Sequence, residues 1–442
     1  MKLIVLPSIA LAAFSSSVQA SHPHFRPNGH HHHAQHGDTS PIQTTATAVT
    51  SMTTVSSSSI SLRSTTTKLP TPASAPVSTP STRVDSRDGT SNFVHPGIFI
   101  SSAQMSNFSS NVASSTEPWA EAYKQMMNHK YACRTTPTPY PTVSSDASCD
   151  DELDDALTAY LNALAWVVTN TKSYAERAIT FMDGWAGTIQ SHEGSNAPLQ
   201  SGWAASVWTR AAEIIRYTDA GWTNSSIVAF EDMLRDVYLP EVIVGSDYNG
   251  NWELVMMEAA LGISVFIENT TSYDLAMEKF LARTAAYVYL TSDGDLPNAG
   301  DISTEEKLIA YWYDQDTFVD GLSQETCRDF GHVGYGLASI SHVLETSRIQ
   351  GNDMYEEDAG KRLRYALEFH SKYENGATVP DWLCGGEVSL GIAQTTEPGL
   401  NAFSYRLGYA MNETQLYTEG HRPENTNGVF VGWETLTHAE NA

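Results

Sequence analysis

Two stretches of this chain, Trp252 to Phe266 and Cys327 to Leu344, are apolar round most of a helix's circumference. That constrains the fold more than any other feature, because a helix without a polar face must be covered by protein on every side. Other segments carry apolar residues three and four apart, beginning with Leu153, Leu157, Tyr160, Leu161, Leu164 and Val168, and such spacing forms one stripe of a helix. The acidic residues between Asp150 and Asp155 sit where that helix's dipole favours them. The same periodicity predicts further helices at about 175–190, 200–217, 225–238, 252–268, 273–290, 325–347, 355–373 and 401–411. No run alternates as strands do. Buried helices interleaved with amphipathic ones, such as those over 232–236 and 355–364, predict an all-α domain of two concentric layers, an α/α toroid or incomplete α/α barrel. Long Pro-, Gly-, Asp- and Ser-rich loops at 135–148 and 291–304 would cover one end of it.

The N-terminus reads differently. Lys2, an apolar run from Leu3 to Phe14 and small residues up to Ala20 have the layout of a cleavable signal peptide over residues 1–20. The later apolar run Leu254 to Phe266 is interrupted by Glu258 and falls short of the roughly 18 to 20 residues a membrane span needs. Residues 21–95 are rich in Ser, Thr and Pro, with seven histidines between His22 and His36. That composition cannot offset the entropy of ordering, and predicts a disordered, O-glycosylated linker able to associate with a cell wall. The block His30 to His33 has no spaced carboxylate or thiol partners, so no metal is assigned to it. Residues 96–442 then form one domain.

With 25 basic against 51 acidic side chains the chain has a formal net charge of −26. Nucleic acid and anionic membrane both demand a basic face and are excluded as partners; an acidic polysaccharide held in a locally basic cleft is not. Four cysteines predict two disulfides in an oxidising compartment, with Cys133 to Cys149 the favoured local pair among three connectivities. Sequons at Asn107, Asn224, Asn269 and Asn412 fit a secreted, extracellular glycoprotein, expected as a monomer.

Within Gln324 to Tyr335, the residues Arg328, His332 and Tyr335 stand at offsets that bring them within about 40° of one another on a helix, and Ser339 and His342 extend the stripe. Gly331, Gly334 and Gly336 are poor helix formers there, which implies close backbone approach or room for a ligand. The trio fits β-elimination from a uronic-acid polymer. That reaction requires a cation to neutralise the C6 carboxylate, a base for the C5 proton and an acid for the leaving glycosidic oxygen, and no metal or cofactor. Upstream, the run Asp247 to Leu254 leads from a loop into the most apolar helix. Asn251 then lies near its N-terminus, where an amide beside orphan N–H groups holds a carboxylate or simply caps the helix.

Three motifs carry a family resemblance: Asn-Gly-Asn-Trp-Glu-Leu at 249–254, Gln-Glu-Thr-Cys-Arg-Asp-Phe-Gly-His at 324–332, and Gly-Trp-Glu-Thr-Leu-Thr-His at 432–438. In order and wording they resemble the alginate lyase superfamily over residues 96–440, and more closely polysaccharide lyase family 38, whose members cleave mannuronan- or glucuronan-type polymers. The resemblance implies an α/α toroid, with Asn251 and Arg328 holding the carboxylate, Tyr335 as acid and His332 as base. Some relatives carry the base just after the neutralising Asn, where this chain has Trp252. The base is then His332, another histidine such as His192 or His438, or Tyr335 serving both roles. Leu400 and Ala402 also stand where many relatives have Tyr and His. Further substrate-binding candidates from segments that resemble family motifs are His192, Asn196, Trp203, Trp252, Trp382 and Arg422; aromatic rings stack on sugars, though Trp203 equally suits a core stripe. Arg210 and Arg216 suit ion pairs with Glu213 and its neighbours.

Two rival readings compete. An inverting glycoside hydrolase on the same toroid needs two carboxylates about 6.5 to 9.5 Å apart, for which Asp247, Glu253, Glu258, Asp314 and Asp316 are candidates. A non-catalytic glycan-binding surface protein needs only the scaffold.

Overall fold

The computed structural model describes residues 92–145, 147–298, 300 and 302–440. The expected signal peptide, and the expected linker up to residue 91, lie outside the described residues.

The described chain is helical nearly throughout. It opens with α1 (Ser102–Ala113), α2 (Trp119–Met127), α3 (Cys149–Thr169), α4 (Lys172–Ala186), α5 (Ala197–Arg216) and α6 (Asn224–Met233). A π-turn over Leu234–Tyr238 leads to the short α7 (Leu239–Val242), followed by α8 (Gly250–Phe266), α9 (Thr270–Tyr287) and α10 (Glu305–Tyr311). The last third holds α11 (Phe330–Ile349), α12 (Asp358–Glu374), α13 (Glu397–Leu400), a second π-turn over Asn401–Arg406, α14 (Asn412–His421) and α15 (Glu434–His438). Two three-residue strands, β1 (Thr142–Ser144) and β2 (Ser191–Glu193), pair in parallel with Val143 opposite His192.

Burial sorts the long helices into the two expected layers. Helices α3, α5, α8 and α11 are buried on almost every face and pack in sequence, α3 on α5, α5 on α8 and α8 on α11. Outside them α4 buries only Ala175, Ala178, Phe181, Met182 and Trp185, and α9 only Ser272, Ala276, Phe280, Thr284 and Tyr287. Those are the single stripes of outer-layer helices. The result is the α/α toroid that the apolar pattern predicts.

The segment before α1 closes onto this body. Asn92 to His95, which fall within the expected linker, are already part of it: the Val94 N–H donates to Gln350 Oε1 at 2.8 Å, and His95 sits between Glu213 (2.6 Å) and Glu268 (2.8 Å) with its ring stacked on Tyr217 at 4.1 Å. Polar composition alone does not reveal such partners, which lie more than a hundred residues away.

The cysteine expectation is corrected. The disulfide joins Cys327 to Cys384, and Cys133 and Cys149 are free thiols. Proximity in sequence misleads because Tyr131 donates to Asp154 at 2.6 Å and Arg134 pairs with Asp155, which ties the Cys133 segment more than a turn along α3 from Cys149 at its start.

Burial alone would lower the pKa of His95, but Glu213 and Glu268 outweigh it and hold the imidazolium above its ordinary value. A group with a raised folded pKa contributes stability that is complete below its unfolded pKa and is lost as pH rises through the folded one. His95→Gln should therefore destabilise the domain most near pH 6, with the difference from wild type shrinking toward about pH 9. Urea unfolding at the two pH values measures it.

Candidate active site

The site is built where α8, α9 and the turn before α11 meet. Asn249 gives α8 no side-chain cap. Two consecutive side chains from the distant turn do this instead: Gln324 Oε1 accepts the Gly250 N–H at 3.0 Å and Glu325 Oε2 accepts the Asn251 N–H at 3.3 Å. The Glu325 carboxylate, wholly buried, also accepts from Asn251 Nδ2 at 2.8 Å to each oxygen, from the Tyr287 hydroxyl at 3.0 Å and from Arg328 Nη1 at 2.8 Å. A helix N-terminus attracts an anion, and here the anion is the protein's own. Asn251 is thus neither a simple cap nor an open carboxylate ligand; its amide is engaged by Glu325.

Tyr287 reaches Glu325 because glycines flank its ring. A Cβ on Gly250 would lie 2.2 Å from the ring and one on Gly336 2.4 Å from it, while one on Gly334 would strike the Ile392 carbonyl at 2.4 Å. Gly334 and Gly336 therefore serve close packing.

Arg328 stands before the helix, which corrects the helical-wheel placement. Asp329 is the N-cap of α11, accepting the His332 N–H at 2.8 Å, so regular helix begins at Phe330. The trio is nevertheless brought together through Asp329. Arg328 Nε lies 3.9 Å from Asp329 Oδ2, His332 Nδ1 lies 2.7 Å from the same oxygen, and the His332 and Tyr335 ring centroids are 5.8 Å apart. Burial would lower the pKa of Arg328, but Glu325, Tyr313 and Asp329 raise it, so it stays cationic. Burial would likewise raise Asp329, yet its bonds with His332 and the charge of Arg328 hold it low. With Nδ1 held by a carboxylate, His332 presents Nε2 as its exchangeable nitrogen. The Tyr335 phenol is raised by burial and by the Asp329 charge, and makes no hydrogen bond among the described residues. Trp203 from α5 and Phe430 flank its ring edge to face, at 6.3 and 6.0 Å.

The other candidates divide. Trp203 is beside Tyr335, and its indole N–H, although buried, has no partner among the described residues. Trp252 and Tyr248, with centroids 4.7 Å apart, line a cleft of about 450 Å³ together with Ser195, Pro198, Ser246 and Asp247; Asn196 lies between two of these lining residues. None of Arg328, His332 and Tyr335 lines that cleft. Trp382 is 37% exposed beside the disulfide. His192 is buried against Glu152 at 3.0 Å, and His438 is buried with its pKa lowered to about 3 by burial. Neither is placed as a base. Arg422 is engaged by Glu397 at 2.5 Å and Glu440 at 3.1 Å as a structural ion pair. His342, on the extended stripe, belongs to the core. Arg210 and Arg216 do form ion pairs, with Glu258 and with Glu231 at 2.9 Å, whereas Glu213 takes His95. Of the five hydrolase carboxylates, Glu253 is paired with Arg283 and Glu258 with Arg210, while Asp247 lines this cleft and Asp314 lines a separate one with Glu305 and Glu306.

Sequence reasoning missed Glu325, Tyr287 and Tyr313. The last is a left-handed residue (φ 57°) whose hydroxyl neighbours Arg328 and Asn249. A signal did exist for Glu325: an acidic residue inside an otherwise buried run requires donors.

No protein-family model matches the chain, and no curated protein matches it in sequence. The likeness is in the fold. The crystal structure of alginate lyase A1-III from Sphingomonas species A1 superposes with a TM-score of 0.51 at 14% identity, covering 77% of this chain and 95% of that one. A tyrosine-to-phenylalanine variant of alginate lyase A1-III, complexed with tetrasaccharide, gives 0.52 at 14% identity over 77% and 95% of the two chains. The fold is that of the alginate lyases, as the sequence resemblance implies.

The disulfide staples the Arg328 turn to the loop carrying Trp382, and Gln315 braces the same junction through the Cys384 N–H (2.9 Å) and the Trp382 carbonyl (3.1 Å). Replacing both Cys327 and Cys384 by Ser should cost about 2–4 kcal/mol of unfolding free energy, and limited proteolysis should then cut near Trp382.

Proposed function

We propose that this chain is a polysaccharide lyase, of the kind grouped in polysaccharide lyase family 38, that cleaves a 1,4-linked polyuronate of the glucuronan or alginate type by β-elimination. The observation that carries the reading is the carboxylate-supported His332 beside the Tyr335 phenol, which makes no hydrogen bond among the described residues, with the partly exposed cation of Arg328 joined to them through Asp329. The alginate lyase fold around it supports the same conclusion.

In this reading Arg328 pairs with the C6 carboxylate and makes the C5 proton acidic. His332 Nε2 removes that proton while Asp329 holds Nδ1 and stabilises the imidazolium that forms. The electron pair left on C5 forms the C4–C5 double bond, the C4–O bond breaks, and Tyr335 gives its proton to the departing oxygen. Trp203, Trp252, Tyr248 and Trp382 offer aromatic faces along which sugar rings stack. The reading extends to a secreted, monomeric enzyme whose N-terminal tail sets its distance from a wall; no helix among the described residues is long and apolar enough to cross a membrane.

Elimination leaves a conjugated, ultraviolet-absorbing end, so purified protein acting on alginate blocks or glucuronan should produce that absorbance. Reducing ends that accumulate without it would refute the lyase reading in favour of hydrolysis. Tyr335→Phe should lower kcat by about 10²- to 10⁴-fold and spare polymer binding, whereas binding without turnover in both proteins would identify a glycan-binding protein. Because burial and Asp329 raise the Tyr335 phenol, the alkaline loss of activity should fall above the ordinary tyrosine value of about 10. A pH–kcat profile with its upper limb well below that value would remove Tyr335 as the acid.

A further inference from the structure

We infer that the Tyr313 phenol is a further ligand for the substrate carboxylate, donating its hydroxyl proton to the group that Arg328 holds. The inference rests on the lyase reading above. Three observations carry it. First, the turn after α10 is held where it presents Tyr313 to Arg328. Tyr313 and the following Asp314 both lie in the left-handed region, at φ 57° and 62°, a conformation costly for residues that carry a Cβ. Gln324 fastens this turn to the start of α8, donating to the Tyr311 carbonyl at 2.6 Å and to Asn249 Oδ1 at 3.1 Å while accepting the Gly250 N–H at 3.0 Å. Second, the Tyr313 hydroxyl lies beside two groups that donate to it, Arg328 and Asn249. A guanidinium has no acceptor, and Gln324 engages the Asn249 oxygen, which leaves the amide NH2 to face Tyr313. Both neighbours thus point hydrogens at the phenol oxygen, and no group among the described residues accepts the phenol's own proton. Third, a polymer can reach it. Tyr313 is partly exposed, and the side chains of Arg328, Asp329 and His332 keep 18%, 28% and 25% exposure.

A hydroxyl proton without an internal acceptor, beside an accessible cation, suits a carboxylate, whose two oxygens can accept from Arg328 and Tyr313 together. Burial raises the Tyr313 phenol above its ordinary value although the Arg328 charge opposes this, so the proton is present at neutral pH. As C5 loses its proton, negative charge moves onto the carboxylate oxygens, and the bond from Tyr313 strengthens in the transition state.

The test is Tyr313→Phe, made in the Tyr335→Phe protein so that binding is read without turnover, with folding checked by thermal unfolding. Affinity for the polyuronate bound best among alginate blocks and glucuronan should fall about tenfold or more, the scale of one charge-assisted hydrogen bond. The same polymer with its carboxyl groups reduced to alcohols should bind with and without the substitution alike. A role confined to bracing Arg328 is separated by 3-fluorotyrosine at position 313, whose hydroxyl is a stronger donor and a weaker acceptor. At a pH where it stays protonated, that protein should bind the polyuronate at least as well as the one with tyrosine. Unchanged affinity in Tyr313→Phe, an equal loss for the reduced polymer, or weaker binding by the fluorotyrosine protein would overturn the inference. If Tyr313→Phe does not fold, the fluorotyrosine protein decides by the same criterion. Failure of the lyase reading itself is separately visible, as the absence of ultraviolet-absorbing product from the wild-type protein, and leaves the binding comparison intact.

Discussion

A carboxylate kept from water sets the geometry around which this site is built. Removing Glu325 from solvent costs several kcal/mol unless donors surround it, and they come from Asn251, Tyr287 and Arg328. Those residues begin α8, end α9 and precede α11, so satisfying one side chain fixes how three segments meet. Gly250 and Gly336 are the counterpart in packing: only residues without a Cβ leave space for the Tyr287 ring to reach the carboxylate. Close packing and charge satisfaction are thus one constraint, and the guanidinium of Arg328 takes its position from it.

The inner layer was legible because its helices have no polar face to present to water. Trp252 to Phe266 lies wholly within α8, and the second all-round apolar stretch contains most of α11. The periodicity did not reveal α1, α2, α10, α14 or α15, where short segments carry few apolar residues at helical spacing. It also began α11 too early, at 325 rather than Phe330. Gln324 and Glu325 extend the polar stripe backward on a helical wheel, but their side chains turn to α8, and Asp329 caps the new helix.

The site was half legible. His332 and Tyr335 share a real helix face, and Arg328 joins them by way of Asp329 rather than by helical phase. Polar residues that resembled ligands are otherwise engaged: His192 and His438 are buried, and Arg422 is held in ion pairs with Glu397 and Glu440. Their partners are remote in sequence: His192 meets Glu152 across 40 residues and His438 meets the Phe99 carbonyl across 339. Spacing identifies residues that share a helix, whereas pairing of this kind follows from tertiary closure.

That closure has a consequence for how the molecule comes apart. A ring of helix pairs could in principle fray one pair at a time, as stacked repeats do. Here Arg210 of α5 meets Glu258 of α8 and His342 of α11, and His342 reaches Glu434 of α15 at 2.8 Å. Each of these charges is buried, so withdrawing any one helix strands ions on the others. Peeling is thereby made nearly as costly as complete loss of structure, and a toroid assembled from local hairpins behaves as a single cooperative unit.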